Sequence, residues 1–312
     1  MISISTMWNA FQQSDGAKLF DELKDLGFQS IALSRHLTQD HIEQIKPKFQ
    51  EIGQALPSTI HNFCPIFPGT FQNGSVKDEV SLSSLNNDER KEAIRRTLLT
   101  MQLATELEVP IVVLRLGEVD TYDRSYLMTD LYEYGEREFE AFSKKVTEAT
   151  EWRKRKETKH RDAVLRSLDE LNENALKMEL YIAIENPPNY YQIPNFDEVG
   201  LFFEEFYGSP MRYWHNHGHA AYQEKLGLTW SEDWVTTYKE HLIGISLHDL
   251  QDLEMYHPPG TGDLEWDDVF SDLPSQSIML LEVKNGDEES VIQARELCEL
   301  LSENKDNEND IL

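Results

Sequence analysis

Apolar residues in this chain gather into eight short runs, and the longer stretches between them repeat their apolar positions at helical spacing. The first run, residues 2–7, reads as a buried strand with Trp8 and Asn9 at its C-terminal end. Residues 16–26 then place Leu19, Phe20, Leu23 and Leu26 on one helical face, with Ser14 and Asp15 as candidate caps and Gly27 as the stop. The unit repeats. Further strands are predicted at 29–34, 56–63, 110–119, 180–186, 211–216, 242–249 and 277–283. Helices are predicted after Asp40, from Asn86 or Asn87, from Asn195 or Asp197, from Ser231, and over about 288–301. The fourth strand stays apolar until Arg115, as expected of a strand covered on both faces.

Eight strands alternating with helices predict a right-handed (β/α)8 TIM barrel, an α/β fold. A length of 312 residues suits one such barrel, for which about 250 residues is typical, so residues 1–302 read as a single domain. The surplus is local. Between Gly135 and Pro187 there is neither glycine nor proline, and one helix of about 40 residues would span roughly 60 Å. A long helical insertion after strand four is therefore expected at about 128–160. Its stretch WRKRKETKHR (152–161) is basic in an acidic chain. It reads either as a grip for a partner subunit, giving a homo-oligomer, or for an anionic ligand, or as a solvated arm with intrahelical ion pairs. Residues 303–312 are too polar to pack and are expected to be a disordered acidic tail.

Composition removes several function classes. Twenty-nine basic against 57 acidic residues give a net charge of −28, which repels phosphate backbones and makes nucleic acid a poor partner. The two cysteines, Cys64 and Cys298, form no CxxC, so neither a disulfide framework nor a cysteine zinc site is expected and a reducing cytoplasm fits. No basic leader precedes an apolar run and no stretch of about 18 apolar residues occurs, which argues against secretion and membrane spanning. Nucleotide-binding, serine-hydrolase and HExxH patterns are absent.

What remains is a row of reactive side chains at strand ends, where a parallel barrel presents its catalytic groups. Strand three ends at His61 and strand four at Arg115. Strand five ends at Glu185, strand seven at His248 and Asp249, and strand eight at Glu282. Strand six runs into MRYWHNHGHA, with His215, Asn216, His217 and His219. Trp8, Phe63, Trp214, Tyr190 and Tyr191 could stack on the C–H faces of a small ligand, and His257 in YHPPGTG is either a ligand-binding loop residue or a surface turn.

Taken together, AIENP, WHNHGHA, the HD dipeptide followed by HPPGTGDLEW, and LLEV resemble the xylose isomerase-like sugar isomerase/epimerase superfamily over nearly the whole chain. GHA and PGTGDLEW are the most specific parts. The resemblance implies one divalent ion held by Glu185, the position of Asn216, His248 and Glu282, with the two glutamates also acting as bases and with His61 and His219 facing the substrate; Trp8, His257 and Arg115 are further candidate substrate-binding residues. Family members usually carry Asp where this chain has Asn216, which removes one negative charge from the ligand set. His215 or His217 could compensate, tilting preference among Mn²⁺, Mg²⁺, Co²⁺ and Zn²⁺ toward the later metals. Arg115 stands where the endonuclease IV branch has a metal-binding histidine, which argues against DNA repair. The expectation is a metal-dependent isomerase or epimerase of a small sugar or keto-polyol, working by proton transfer between two glutamates. The alternatives are a dehydratase or lyase using the same site, or a non-catalytic sugar- or partner-binding barrel that has lost its metal.

Overall fold

The eight predicted strands close on themselves. The computed structural model describes residues 2–51, 56–67, 71–72, 75–76, 80–121, 123–135, 140–266, 269–270, 273–274 and 276–309. In it β1 (Ile2–Ser5), β2 (Ser30–Leu33), β3 (Leu56–His61), β4 (Ile111–Leu114), β5 (Tyr181–Glu185), β6 (Met211–Asn216), β7 (Leu242–Leu247) and β8 (Ile278–Leu281) form one closed parallel barrel. Ile2 of β1 lies opposite Met279 of β8, and that pairing seals the ring.

Inside the barrel Ala32, Ile111, Val113, Ala183, Trp214 and Leu280 make one apolar layer. Trp214 is its largest side chain and is fully buried. The indole Nε1 donates to Ser246 Oγ at 2.9 Å, and Gly244 leaves the room, since a Cβ there would stand 2.2 Å from the ring. Side chains alternate along a strand, so residues two positions further on face the same way, one step nearer the C-terminal mouth. Ala32 is followed by Ser34, Val113 by Arg115, Ala183 by Glu185, Trp214 by Asn216, and Leu280 by Glu282. The apolar floor thus fixes the polar row above it.

Helices α1 (Gly16–Asp25), α2 (Gln39–Phe49) and α3 (Asn87–Glu106) cover the first half of the barrel. Asp15 caps α1 and Asn86 caps α3, as expected. The cap of α2 is Thr38 rather than Asp40: its hydroxyl accepts from His41 N, while His41 Nδ1 accepts from Thr38 N, both at 3.2 Å. Asp40 sits instead in the first turn, where its charge suits the helix dipole.

After β4 come α4 (Ser125–Glu133), α5 (Glu140–Lys154) and α6 (Glu157–Lys177). Since α6 packs on α3 and β5, it is the barrel helix, and the insertion proper is α4 with α5. Its basic stretch is not simply solvated. Arg153 is 3% exposed and binds Glu198 Oε2 at 2.5 Å, Glu157 Oε2 at 2.6 Å and the Gln192 carbonyl at 3.0 Å. Trp152 lies against the guanidinium groups of Arg124 and Arg155.

The second half carries α7 (Phe196–Glu205), α8 (His217–Lys225), α9 (Ser231–Tyr238) and α10 (Glu288–Asn309). Asn195 and Glu198 form a capping box on α7. Trp230, not Ser231, holds the cap position of α9, and Ser231 N donates to Glu224 at 2.9 Å. Helix α10 continues through most of the segment expected as a disordered tail; residues 310–312 lie outside the described residues, as do 68–70 and 73–74 of the loop 64–76, rich in proline, glycine and aromatic residues, that follows strand three. Cys64 and Cys298 are buried free thiols.

Candidate functional site at the barrel mouth

A cavity of about 500 Å³ opens at the C-terminal ends of the strands. Its lining includes His61, Arg115, Glu185, His219 and Glu282 from the sequence-derived set, with Phe63 on its wall. Arg35, His36, Tyr256 and Lys284 join them. Asn216 and His248 are fully buried just beneath the lining, where Asn216 holds both carboxylates from below and His248 holds Asn216.

Asn216 is the hub. Its Nδ2 donates to Glu185 Oε1 and to Glu282 Oε2, each at 3.0 Å, so the two carboxyl oxygens lie within about 6 Å of each other. Its Oδ1 accepts from the backbone N–H of His219 at 3.1 Å, which caps α8 at its first turn, and lies 3.0 Å from His248 Nε2. The cap decides which way the amide points: turned over, the NH₂ would face the His219 N–H, donor against donor.

The same logic fixes the histidine tautomers. Tyr256 N–H donates to His248 Nδ1 at 3.1 Å, so His248 carries its proton on Nε2 and donates to Asn216 Oδ1. The Asp249 carbonyl is further from Nδ1, at 3.4 Å, and a proton there would set Nε2 against Oδ1, acceptor against acceptor. His219 Nδ1 donates to the Asn186 carbonyl at 3.0 Å, so its Nε2 accepts from the Tyr256 hydroxyl at 2.9 Å. Asn186 braces β5 to β6, with Oδ1 accepting from Asn216 N at 2.6 Å and Nδ2 donating to the Asn216 carbonyl at 2.9 Å.

Burial sets the charges. It pushes His61 and His248 down to about 3, the charges of Arg115 and Arg35 adding to the effect at His61, so both imidazoles are neutral near pH 7. Burial also raises the Glu185 carboxyl, against the Asn216 hydrogen bond and the Arg115 charge. At Glu282 burial and the neighbouring Glu185 charge act together, and the carboxyl stands well above the ordinary carboxylate range. A proton on one of this pair is therefore at home at neutral pH.

Trp8, His257, Tyr190 and Tyr191 stay away from the lining. Trp8 turns its Nε1 to the Gly286 carbonyl at 3.3 Å and packs on the core, leaving Met7 on the lining. His257 is on the hairpin Asp249–Gln251 with Glu254–His257, 3.6 Å from Glu254 and off the cavity. His215 and His217 do not compensate for Asn216 either. Strand alternation turns His215 outward to the Tyr213 hydroxyl at 3.0 Å, and His217 packs beside Trp266. Tyr190 hydrogen-bonds Arg124 N and packs with Tyr191 off the cavity.

Sequence reasoning missed Tyr256, which holds both His219 and His248. It has φ of +71°, a left-handed conformation rare for a bulky residue and found where the surroundings over-determine it. The loop after it is built on Asp249, whose carboxylate accepts from five donors: the N–H groups of Leu250, Gly260, Gly262 and Leu264 and Trp266 Nε1. That explains the PGTGDLEW pattern physically. A Cβ at Gly262 would lie 2.1 Å from the Leu250 carbonyl, and Gly218 has no room for one against the His248 ring.

As arranged, the four positions expected to hold a divalent ion do not fit one. Asn216 turns N–H groups, not a lone pair, toward the two carboxylates, and both nitrogens of His248 are engaged. Among the described residues, no three acidic, histidine or cysteine side chains converge to hold a cation.

A family model described as xylose isomerase-like TIM barrel matches residues 20–303. Among solved structures the chain is similar to an L-ribulose 3-epimerase (13% identity, TM-score 0.69, covering 99% of this chain and 97% of that one). It is also similar to a 3-keto-D-glucoside 4-epimerase from E. coli (14%, 0.65, 95% and 97%) and to a probable 3-DHS dehydratase from Bacillus anthracis (10%, 0.64, 95% and 98%). No curated protein matches the sequence.

Proposed function

The chain belongs to the xylose isomerase-like TIM-barrel family, and we propose that it isomerises or epimerises a small sugar or keto-polyol by proton transfer through Glu185 and Glu282. One observation carries this reading: two carboxyl groups held 3.0 Å from the same amide nitrogen, both on the lining of a cavity of about 500 Å³. One carboxylate removes the proton from the carbon next to the substrate carbonyl, leaving an enediolate. The other, as the acid, returns a proton to the opposite face in an epimerisation or to the neighbouring carbon in an isomerisation. The raised carboxyl groups keep that acid protonated near neutral pH.

The developing oxygen charge needs a fixed donor. Arg115 supplies a guanidinium whose field reaches Glu185, Glu282, His61 and Tyr256. His61 and the Tyr256 oxygen line the same space and orient hydroxyl groups. A divalent ion, where a member of the family holds one, would polarise the carbonyl; the donor set present here does not fit that ion. Loss of a β-hydroxyl from the same enediolate would give the dehydratase reaction.

The test is exchange in D₂O. Wild type incubated with a panel of ketoses and keto-inositols is expected to place deuterium on the carbon beside the carbonyl, read by NMR. Glu282→Gln is expected to slow that exchange by about 10²–10⁴-fold while remaining folded. Unchanged exchange in Glu282→Gln would sink the two-glutamate mechanism. The complete saturation of Asn216 favours one further reading, a non-catalytic sugar-binding barrel, for which a sugar would raise the melting temperature with no exchange in wild type.

A further inference from the structure

We infer that the side-chain amide of Asn216 occupies the structural place of a metal ion, cross-linking Glu185, Glu282 and His248 so that the site assembles without a divalent cation. The inference concerns what holds the site together and stands whichever reaction the site performs.

The geometry is specific. An amide has two N–H donors in a fixed fork and one oxygen with two lone pairs. All four are used here: the N–H groups reach Glu185 and Glu282 at 3.0 Å each, and the oxygen takes His219 N–H at 3.1 Å and His248 Nε2–H at 3.0 Å. A cation placed among these residues would meet N–H hydrogens on the Asn216 side. Turning the amide over would free its oxygen for the cation, but only by setting NH₂ against both the α8 cap donor and the His248 Nε2–H.

Aspartate at this position would change one atom and reverse the outcome. One oxygen would go on accepting from His219 N–H and His248 Nε2–H. The other would face two carboxyl groups, and three acidic groups that close repel unless a proton or a cation lies between them. Oxygen donors of that kind suit Mg²⁺ and Mn²⁺. Residue 216 is thus the switch between an amide-bridged and a cation-bridged site.

The experiment uses the full-length chain, wild type and Asn216→Asp, purified without chelator. Metal content is read by elemental analysis, and melting temperature with EDTA and with rising MnCl₂ or MgCl₂. Wild type is expected to carry well under 0.1 equivalents of divalent metal on an order-of-magnitude reading and to melt at the same temperature throughout. Asn216→Asp is expected to melt lower in EDTA and to regain stability as the metal rises, growing with the logarithm of concentration as linkage requires. Near-stoichiometric metal in wild type, or its stabilisation by either salt, would overturn the inference. So would an Asn216→Asp protein that folds and binds metal no better than wild type. If that variant does not fold, the wild-type measurements alone decide.

Discussion

Asp249 is the residue on which the mouth of the site hangs, and Asn is the smallest change that tests it. Oδ1 accepts from Leu250 N at 2.8 Å and Leu264 N at 3.0 Å. Oδ2 accepts from Gly260 N and Gly262 N at 3.0 Å and from Trp266 Nε1 at 3.1 Å. In Asp249→Asn, whichever oxygen becomes NH₂ faces at least two N–H donors. At about 1.5–3 kcal/mol for a hydrogen bond to a charged group, two lost bonds come to about 3–6 kcal/mol. That is a large share of a total stability of roughly 5–15 kcal/mol, and in a chain of this size it corresponds to a fall of roughly 5–9 °C in melting temperature. The loop could instead open locally, limiting the global loss, so hydrogen exchange at the Gly260, Gly262 and Leu264 amides is read alongside the melt. Faster exchange at these three amides or the lower melting temperature supports the assignment. An Asp249→Asn protein with the wild-type melting temperature and unchanged protection at all three would refute it.

Arg153→Met leaves Glu198 as a buried charge without its 2.5 Å partner, and urea denaturation is expected to show a loss of about 3–5 kcal/mol, much of it recovered in Arg153→Met/Glu198→Gln. Full stability in the single variant would mean that α5 is not anchored through this pair. His61 gives a pH signature. Its folded value is lowered to about 3, so between pH 6.5 and 3 the unfolded chain takes up a proton that the folded chain refuses, and stability is lost as pH falls. His61→Gln is expected to lessen that acid loss by up to about 1.4 kcal/mol per pH unit, read from denaturation curves at pH 4–7, and equal slopes in both proteins would contradict a buried neutral imidazole.

The barrel was legible because its cause is periodic. A strand buried on both faces is a run of apolar residues, and each run here stops where the chain leaves the apolar layer. The strand-end residues could be located for the same reason: two positions beyond Ala183, Trp214 and Leu280 on the same face stand Glu185, Asn216 and Glu282. Residues contributed by irregular backbone were not legible. Tyr256 reaches His219 through a left-handed turn on a hairpin, and no periodicity marks such a turn; His257 beside it looked the better candidate only because imidazole has the wider chemistry. Caps went astray at α2 because an imidazole took the part usually played by a carboxylate three residues into the helix.

Asn216 shows a different limit. That it departs from a family aspartate could be read from the sequence; what the departure does could not, because that depends on which end of the amide faces the carboxylates. The deciding atom is the backbone N–H of His219, which needs an acceptor at the start of α8 and so pins the oxygen there. A residue type alone would allow Asn216 to offer its oxygen to a cation. The helix that follows it turns the nitrogen toward Glu185 and Glu282 instead, and a local capping requirement thereby decides the chemistry of the whole mouth.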